Sequence, residues 1–432
     1  MSWISRLQSL ITDPVRQVQF FMLCRQSGVL LSSIVIARYL PLEQVGSFEM
    51  LMLCGYLMTF FWSDAFLKGY LSSPVPRDNP ATTATFLWFY LILSLVAMAV
   101  LLLGQKFLLP LFVHRTSLDG LGLFALYQAL IIPVWMAPFI GMLKSRHSLL
   151  LSFFVLTGPT FACIAGWMSL PSLNGILIGL LSYALVGLVW IMLNSKFVRE
   201  LRVKSMFVEL WPATWPLIMY AVSIGIARSF DAWLVARHFD EASFAIFRYG
   251  AREFPLVVAF AAGLSTIMIP MLKGTEALDE LRSRSTRLMH ICYPIVAVVM
   301  FLSPVLFQQL FGIAYKESAL IFNIYLLLTL TQLVFPQTVL MARGDTKVLW
   351  YVSLAELIVN VIASLLLLNW YGLIGIVWGT LIAYIFEKIV LLMYVRSKYG
   401  IQTTQLMNYK VLTGYAVLMT VIFMGTRWMF GI

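Results

Sequence analysis

Arg228-Ser-Phe-Asp231-Ala-Trp-Leu-Val-Ala-Arg237-His-Phe-Asp240-Glu241, then an apolar run that carries Arg248, Arg252, Glu253 and Pro255 down to Pro270-Met-Leu-Lys273, is two long apolar segments meeting at a short polar turn. About 20 apolar residues cross a bilayer as helix, so this reads as a membrane hairpin with charges inside it. A charge at bilayer depth is expensive and normally faces protein or water, which makes it a functional-site hypothesis by default.

The whole chain has the same character. With 61% hydrophobic and 11% charged residues and a mean hydropathy of +0.89, it could not bury its apolar surface in one soluble core, and it reads as a polytopic membrane protein. Cys24, Cys54, Cys163 and Cys292 fall in apolar segments without paired or metal-type spacing, so they read as small, reduced core residues. Met1 to Gln17 lacks a cleavable signal pattern, and the first apolar segment is expected to remain as a helix.

Thirteen segments, within a range of twelve to fourteen, are long and apolar enough to span. They begin near Val18, Val45, Thr83, Leu121, Leu149, Leu173, Trp215, Phe244, Leu288, Ala319, Leu349, Leu373 and Val411. With a cytoplasmic N-terminus, eighteen of the 30 Lys and Arg lie on inner connections and six on outer ends. The remaining six, Arg25, Lys68, Arg228, Arg248, Arg252 and Lys388, lie inside spans. That bias satisfies the positive-inside rule, so the net charge of +11 reports topology and not nucleic-acid binding.

The basic connector Asn194 to Met206 divides the chain, and a faint repeat agrees. Ala37-Arg38-Tyr-Leu-Pro-Leu-Glu-Gln-Val45-Gly46-Ser-Phe48-Glu49 aligns without gaps with Ala236-Arg237-His-Phe-Asp-Glu-Ala-Ser-Phe244-Ala245-Ile-Phe247-Arg248. Six spans separate the copies, so the halves share an orientation. The expected architecture is all-α: an N-lobe of six helices at 1–195, a C-lobe of six at 196–398 in parallel pseudo-two-fold repeat, and an additional C-terminal transmembrane helix at 399–432.

These residues resemble the multidrug, oligosaccharidyl-lipid and polysaccharide exporter superfamily, most closely its bacterial polysaccharide and lipid II flippases. The marks are Ala37-Arg38-Tyr-Leu…Val45-Gly46, Tyr249-Gly-Ala-Arg252-Glu-Phe-Pro255…Ile269-Pro270 and Leu310-Phe311-Gly312…Tyr315…Ser318-Ala319. Further along come Met341-Ala-Arg-Gly344-Asp-Thr-Lys347, Asn360 and Gly372-Leu-Ile-Gly375-Ile-Val-Trp-Gly379. The resemblance implies two six-helix lobes around a central cavity, moving an undecaprenyl-diphosphate-linked oligosaccharide across the bacterial inner membrane by alternating access. It also implies partnership with the bilayer, with polysaccharide-assembly proteins and with no nucleic acid, in a monomer without a cofactor. Two departures separate this chain from the lipid II flippases: Ser32-Ser33 stands where they carry Arg-Asp, and Asp64 stands near where they carry an Arg. A different glycan is therefore expected.

Arg248 and Arg252 are one helical turn apart, hence on one face. Like charges at that spacing repel unless an anion sits between them, and guanidinium gives phosphate a planar, multidentate partner. They are the candidate diphosphate-binding residues, with Arg25, which shares a polar face with Gln19, Gln26, Ser32 and Ser33. The competing readings are neutralisation by Glu253, Asp231 or Asp240, outward snorkelling of Arg248, and a structural bond from Arg25. Ser353, Glu356, Asn360 and Ser364 form one polar stripe on the eleventh segment, suited to a hard cation or a proton relay. By resemblance, Asp231, Glu356, Asn360 and Thr380 correspond to a sodium site, so the coupling ion is Na+ or H+ and a tighter metal is left unknown. The plain alternative pairs Asp231 with Arg228 and Glu356 with Lys388. Asp64 with Lys68, and Glu387 with Lys388, lie toward the cytoplasmic ends of their helices, and both lysines are expected to snorkel.

A cation-coupled multidrug exporter of the same superfamily is the main alternative, although it favours acidic cavities. A membrane glycan polymerase or ligase needs a large outer loop, and the longest here, Gly104 to Gly120, is short and without a carboxylate pair. No enzymatic activity is expected.

Overall fold

The computed structural model describes residues 14–72, 80–139, 145–194, 203–272 and 277–431. Among these every regular element is a helix, as it must be where lipid offers no hydrogen-bond partner to the backbone. The chain divides into two compact units, Met1–Ala245 and Ile246–Ile432.

The first unit holds α1 (Pro14–Tyr39), α2 (Leu42–Ser72), α3 (Pro80–Leu103), the short α4 (Gln105–Phe112), α5 (Leu121–Met136), α6 (Ser145–Ser169), α7 (Leu173–Asn194) and the long α8 (Val203–His238). α1 runs parallel to α6, with Phe20 against Phe153 and Tyr39 against Trp167 at the other end. α2 and α8 are antiparallel: Gly225 abuts the Phe60 ring, and Gly46 abuts the backbone of Glu241. The seventh segment thus packs inside the first unit. Of the connector placed between the lobes, 195–202 lie outside the described residues, as do Arg77, Lys144 and Lys273.

The internal repeat is visible in the backbone. α1 ends at Tyr39 and α2 starts at Leu42; α8 ends at His238 and α9 (Glu241–Gly250) starts at the matching offset. The corner bonds match too. Leu40 N–H donates to Ile36 O at 3.0 Å and Phe239 N–H to Val235 O at 3.0 Å, while Val45 and Phe244 donate to Pro41 O and Asp240 O at 3.0 and 2.9 Å.

The second unit continues from α9 into α10 (Pro255–Met268), α11 (Leu278–Phe311), a 3-10 turn (Ile313–Tyr315), α12 (Lys316–Leu327), α13 (Thr329–Gln332), α14 (Pro336–Ala342), α15 (Thr346–Tyr399), α16 (Thr403–Leu406) and α17 (Tyr409–Phe430). Among the described residues nine helices are long and apolar enough to cross a membrane, and the bent pair α9 and α10 makes a tenth. One of the nine, Lys347–Tyr399, has 53 residues. Straight, it would measure about 80 Å at 1.5 Å per residue, far beyond a hydrocarbon core of about 30 Å. It is two crossings. Gly372 takes φ 58° and ψ −137° between them, a conformation that a Cβ would strain. The remaining segments of the thirteen fall on the 16-residue apolar α5 and on α8.

Contacts fix the register of this hairpin. A Cβ on Gly379 would lie 2.6 Å from Ser364 N, and one on Gly375 would lie 2.1 Å from Leu367 O. At the mouth Lys398 meets Asp345 at 2.5 Å. Each step toward the mouth on one arm is matched by a step on the other, so residues whose numbers sum to about 743 sit at one level.

Candidate functional site

The eighth segment, expected as one helix, is broken. α9 stops at Gly250, residues 251–254 are non-helical, and α10 leaves at 49° to α9. Pro255 causes this: it has no N–H to continue the ladder, and it pushes Phe254 out of the α region, to φ −76° and ψ 108°. Arg252 therefore does not share a helical face with Arg248, and the expected one-turn pairing is replaced by a different arrangement. Arg252 lies in the break itself, half-buried, with its N–H on Gly250 O at 2.7 Å. Its Nε–H donates to Arg248 O at 3.4 Å, and its guanidinium lies 4.9 Å from the Tyr249 ring centre. Tyr249 is fully buried against Phe311 and Tyr315, at 5.0 and 4.8 Å between ring centres. Arg248, half-buried in the last turn of α9, makes an interaction of its own, and Glu253 is exposed.

In the first unit Arg25 is half-buried with its guanidinium 5.4 Å from the Trp135 ring of α5. Gln19, Gln26, Asp64, Lys68 and Arg228 are exposed on α1, α2 and α8. The polar face expected on the first helix is narrower than read: Ser32 and Ser33 are buried, and their hydroxyls donate back to Val29 O and Leu30 O at 3.0 and 2.8 Å. Asp231 is buried at 9% exposure and makes an interaction of its own, while Arg228 one turn earlier is exposed.

In the second unit Asn360, Ser364 and Thr380 converge between the hairpin arms. Ser364 Oγ donates to Asn360 Oδ1 at 2.8 Å, and Thr380 Oγ1 donates to Ile376 O at 3.2 Å. All three are buried, Ser353 is exposed, and Glu356 is half-buried one turn before Asn360. Lys388 does not snorkel. It is 8% exposed and pairs with Glu387 at 3.0 Å. Glu356 lies eight residues before Ser364 and Glu387 eight residues after Gly379, so the two carboxylates share a level of the hairpin, about 12 Å from the Gly379 contact. Sequence reasoning set Glu387 beside Lys388 but not at the level of Glu356; the glycines at 372, 375 and 379, spaced for a turn and a close approach, were the signal for that.

Among the described residues no group of three or more His, Cys, Asp or Glu is placed to hold a metal ion. Cys24, Cys54, Cys163 and Cys292 are free thiols in the interior.

The fold has clear relatives. The chain superposes on a structure described as lipid II flippase MurJ in an inward closed conformation, with a TM-score of 0.66 and 17% identity over 95% of this chain and 92% of that one. It also matches an inward-facing multidrug resistance MATE transporter of the MOP superfamily, with a TM-score of 0.61 and 13% identity over 90% and 98% of the two chains. A third match is the MATE transporter DinF-BH in complex with R6G, at 0.51 and 14% over 91% and 95%. The chain thus shares the fold of these transporters. No family model matches the sequence, and no curated protein matches it.

Proposed function

We propose that this protein is a transporter, not an enzyme, that flips an undecaprenyl-diphosphate-linked oligosaccharide across the bacterial inner membrane by alternating access, with its N-terminus in the cytoplasm. The observation that carries the proposal is Arg252 in the broken eighth span, stacked on a buried tyrosine beside the N-terminus of α10. A helix N-terminus and a guanidinium both favour negative charge, and broken helices at membrane depth line substrate sites. Within the first unit, the half-buried Arg25 and the exposed Arg228 are further cations inside spans, and such arginines disfavour a cationic drug as cargo.

Coupling is assigned to Asp231, Glu356, Asn360 and Thr380, with Na+ or H+ as the ion. Their oxygens suit a hard cation, and the reading is supported by Ser364, whose hydroxyl lies within reach of both Asn360 Oδ1 and the Ile376 carbonyl that Thr380 also uses.

The test is flipping of a fluorescent lipid-linked oligosaccharide in proteoliposomes. Wild type should flip it, and Arg252→Ala should not, at equal protein levels. Flipping that is unchanged in an Arg248→Ala, Arg252→Ala double variant overturns the site. Export of cationic dyes without lipid flipping overturns the function. Glu356→Gln should abolish the Na+ or H+ dependence and leave the fold intact.

A further inference from the structure

At the end of the first unit where α1 gives way to α2 and α8 to α9, the segment from α4 toward α5 is tied down on the tip of α8. His114 N–H donates to Ala236 O at 3.1 Å, Trp233 Nε1–H donates to Leu111 O at 2.8 Å, and the Arg237 guanidinium donates to Pro110 O. Arg115 adds an ion pair with Glu241 at 2.7 Å. These bonds border a half-open cleft of about 440 Å³ whose floor includes the buried Met50 and Ala236 and whose rim includes the exposed His114, Arg115, His238 and Asp240. Phe239 completes the lining. That volume lies within the ~300–1,000 Å³ of small-ligand sites.

Within the lining Arg115 and Asp240 carry opposite charges, and Arg115 is also paired with Glu241 at its edge. An anion such as phosphate would meet the Asp240 carboxylate. Asp240 is held in place by the Ser243 N–H at 2.9 Å, and a carboxylate has about four lone-pair sites, more than this bond uses. His238 Nδ1 lies 2.9 Å from Leu234 O; a carbonyl only accepts, so the neutral ring carries its proton there and offers Nε2 as an acceptor. Arg115 supplies further donors, and the half-buried Phe239 supplies an aromatic surface. Donors and acceptors in near balance beside an aromatic ring match a pyranose, whose hydroxyls need both and whose C–H face is apolar.

We propose that this cleft binds a sugar residue of the transported glycan, an inference that rests on the flippase reading above. The probe is the oligosaccharide released by mild acid from the cell's own lipid-linked pool, added to purified full-length protein in detergent and followed by tryptophan emission, Trp233 being part of the tie beside the cleft. Wild type should bind it. Asp240→Asn, which keeps the helix cap because Asn caps as well as Asp, and Phe239→Ala should each bind at least about tenfold more weakly, as loss of one hydrogen bond to a charged group or of one ring contact implies. Both variants are first checked for a wild-type size-exclusion profile, and Phe239→Leu replaces the alanine variant if that one aggregates. Unchanged binding by the variants overturns the sugar site, and so does a wild-type protein that flips the lipid-linked pool but does not bind the released oligosaccharide. A wild type that neither flips nor binds overturns the flippase reading, and the sugar site with it.

Discussion

Asp345 and Lys398, at opposite ends of the long helical hairpin, meet at 2.5 Å and close its mouth. The same carboxylate oxygen accepts from Tyr394 and Tyr399 at 2.9 and 3.1 Å, and Arg343 lies over the Tyr399 ring at 4.4 Å. Two arms that turn at Gly372 are thereby pinned at both ends, which gives the hairpin a fixed register without any covalent link.

The Lys398 hydrogen bond, helped by those of the two tyrosines, holds the Asp345 carboxyl below its ordinary value of 3.8. A depressed folded-state pKa contributes stability above the unfolded pKa and loses it as pH falls through the folded one. Asp345→Asn should therefore melt lower than wild type at neutral pH, and the gap should close only below about pH 3.8. Thermal unfolding in detergent across that range checks it. A gap independent of pH would show that the asparagine acts by some route other than the lost charge.

Gly379→Val should cost about 1–3 kcal/mol by overpacking, because its Cβ would press into Ser364 backbone that cannot yield. Gly414→Ala meets nothing within 4 Å and serves as the neutral comparison. Folded yield after detergent extraction at raised temperature separates the two.

The positions of the spans were legible because runs of about twenty apolar residues have no other stable home, and the corner repeat was legible because Tyr39 and His238 end equivalent helices. The break at residues 251–254 was not. Pro255 interrupts an apolar run that continues on both sides, and a membrane helix often absorbs a proline as a bend. Ser32 and Ser33 looked like cavity-lining groups because a hydroxyl's choice between a ligand and its own helix is settled only by packing. Lys388 read as an interfacial residue for a similar reason: Glu387 stands next to it in the sequence, but its burial depends on the register of a partner helix, which no local pattern encodes.

That burial makes Lys388 sensitive. Removing one partner of a buried pair leaves an uncompensated charge and costs about 3–5 kcal/mol. Lys388→Met leaves both Glu387 and Glu356 at one level, so it should reduce thermal stability more than Glu387→Gln does. The double variant Lys388→Met, Glu387→Gln should recover much of the loss. If Lys388→Met and Glu387→Gln each shift unfolding by less than a surface substitution, the lysine reaches water.

Tyr249 is the platform on which Arg252 is held, and it gives the last test a readout that simple charge loss cannot mimic. Tyr249→Phe keeps the ring and should flip substrate at close to the wild-type rate. Tyr249→Leu removes the cation–π contact, which is worth about 0.5–2 kcal/mol depending on desolvation, so flipping should fall by roughly two- to thirtyfold at equal protein levels. Arg252→Lys keeps the charge on the platform but loses the planar fork, and should retain more flipping than Arg252→Ala. Because Tyr249 is buried against Phe311 and Tyr315, each variant is compared at matched thermal stability. A Tyr249→Leu protein that flips like wild type while Arg252→Ala is dead would leave the charge in the site and remove the stacking from it.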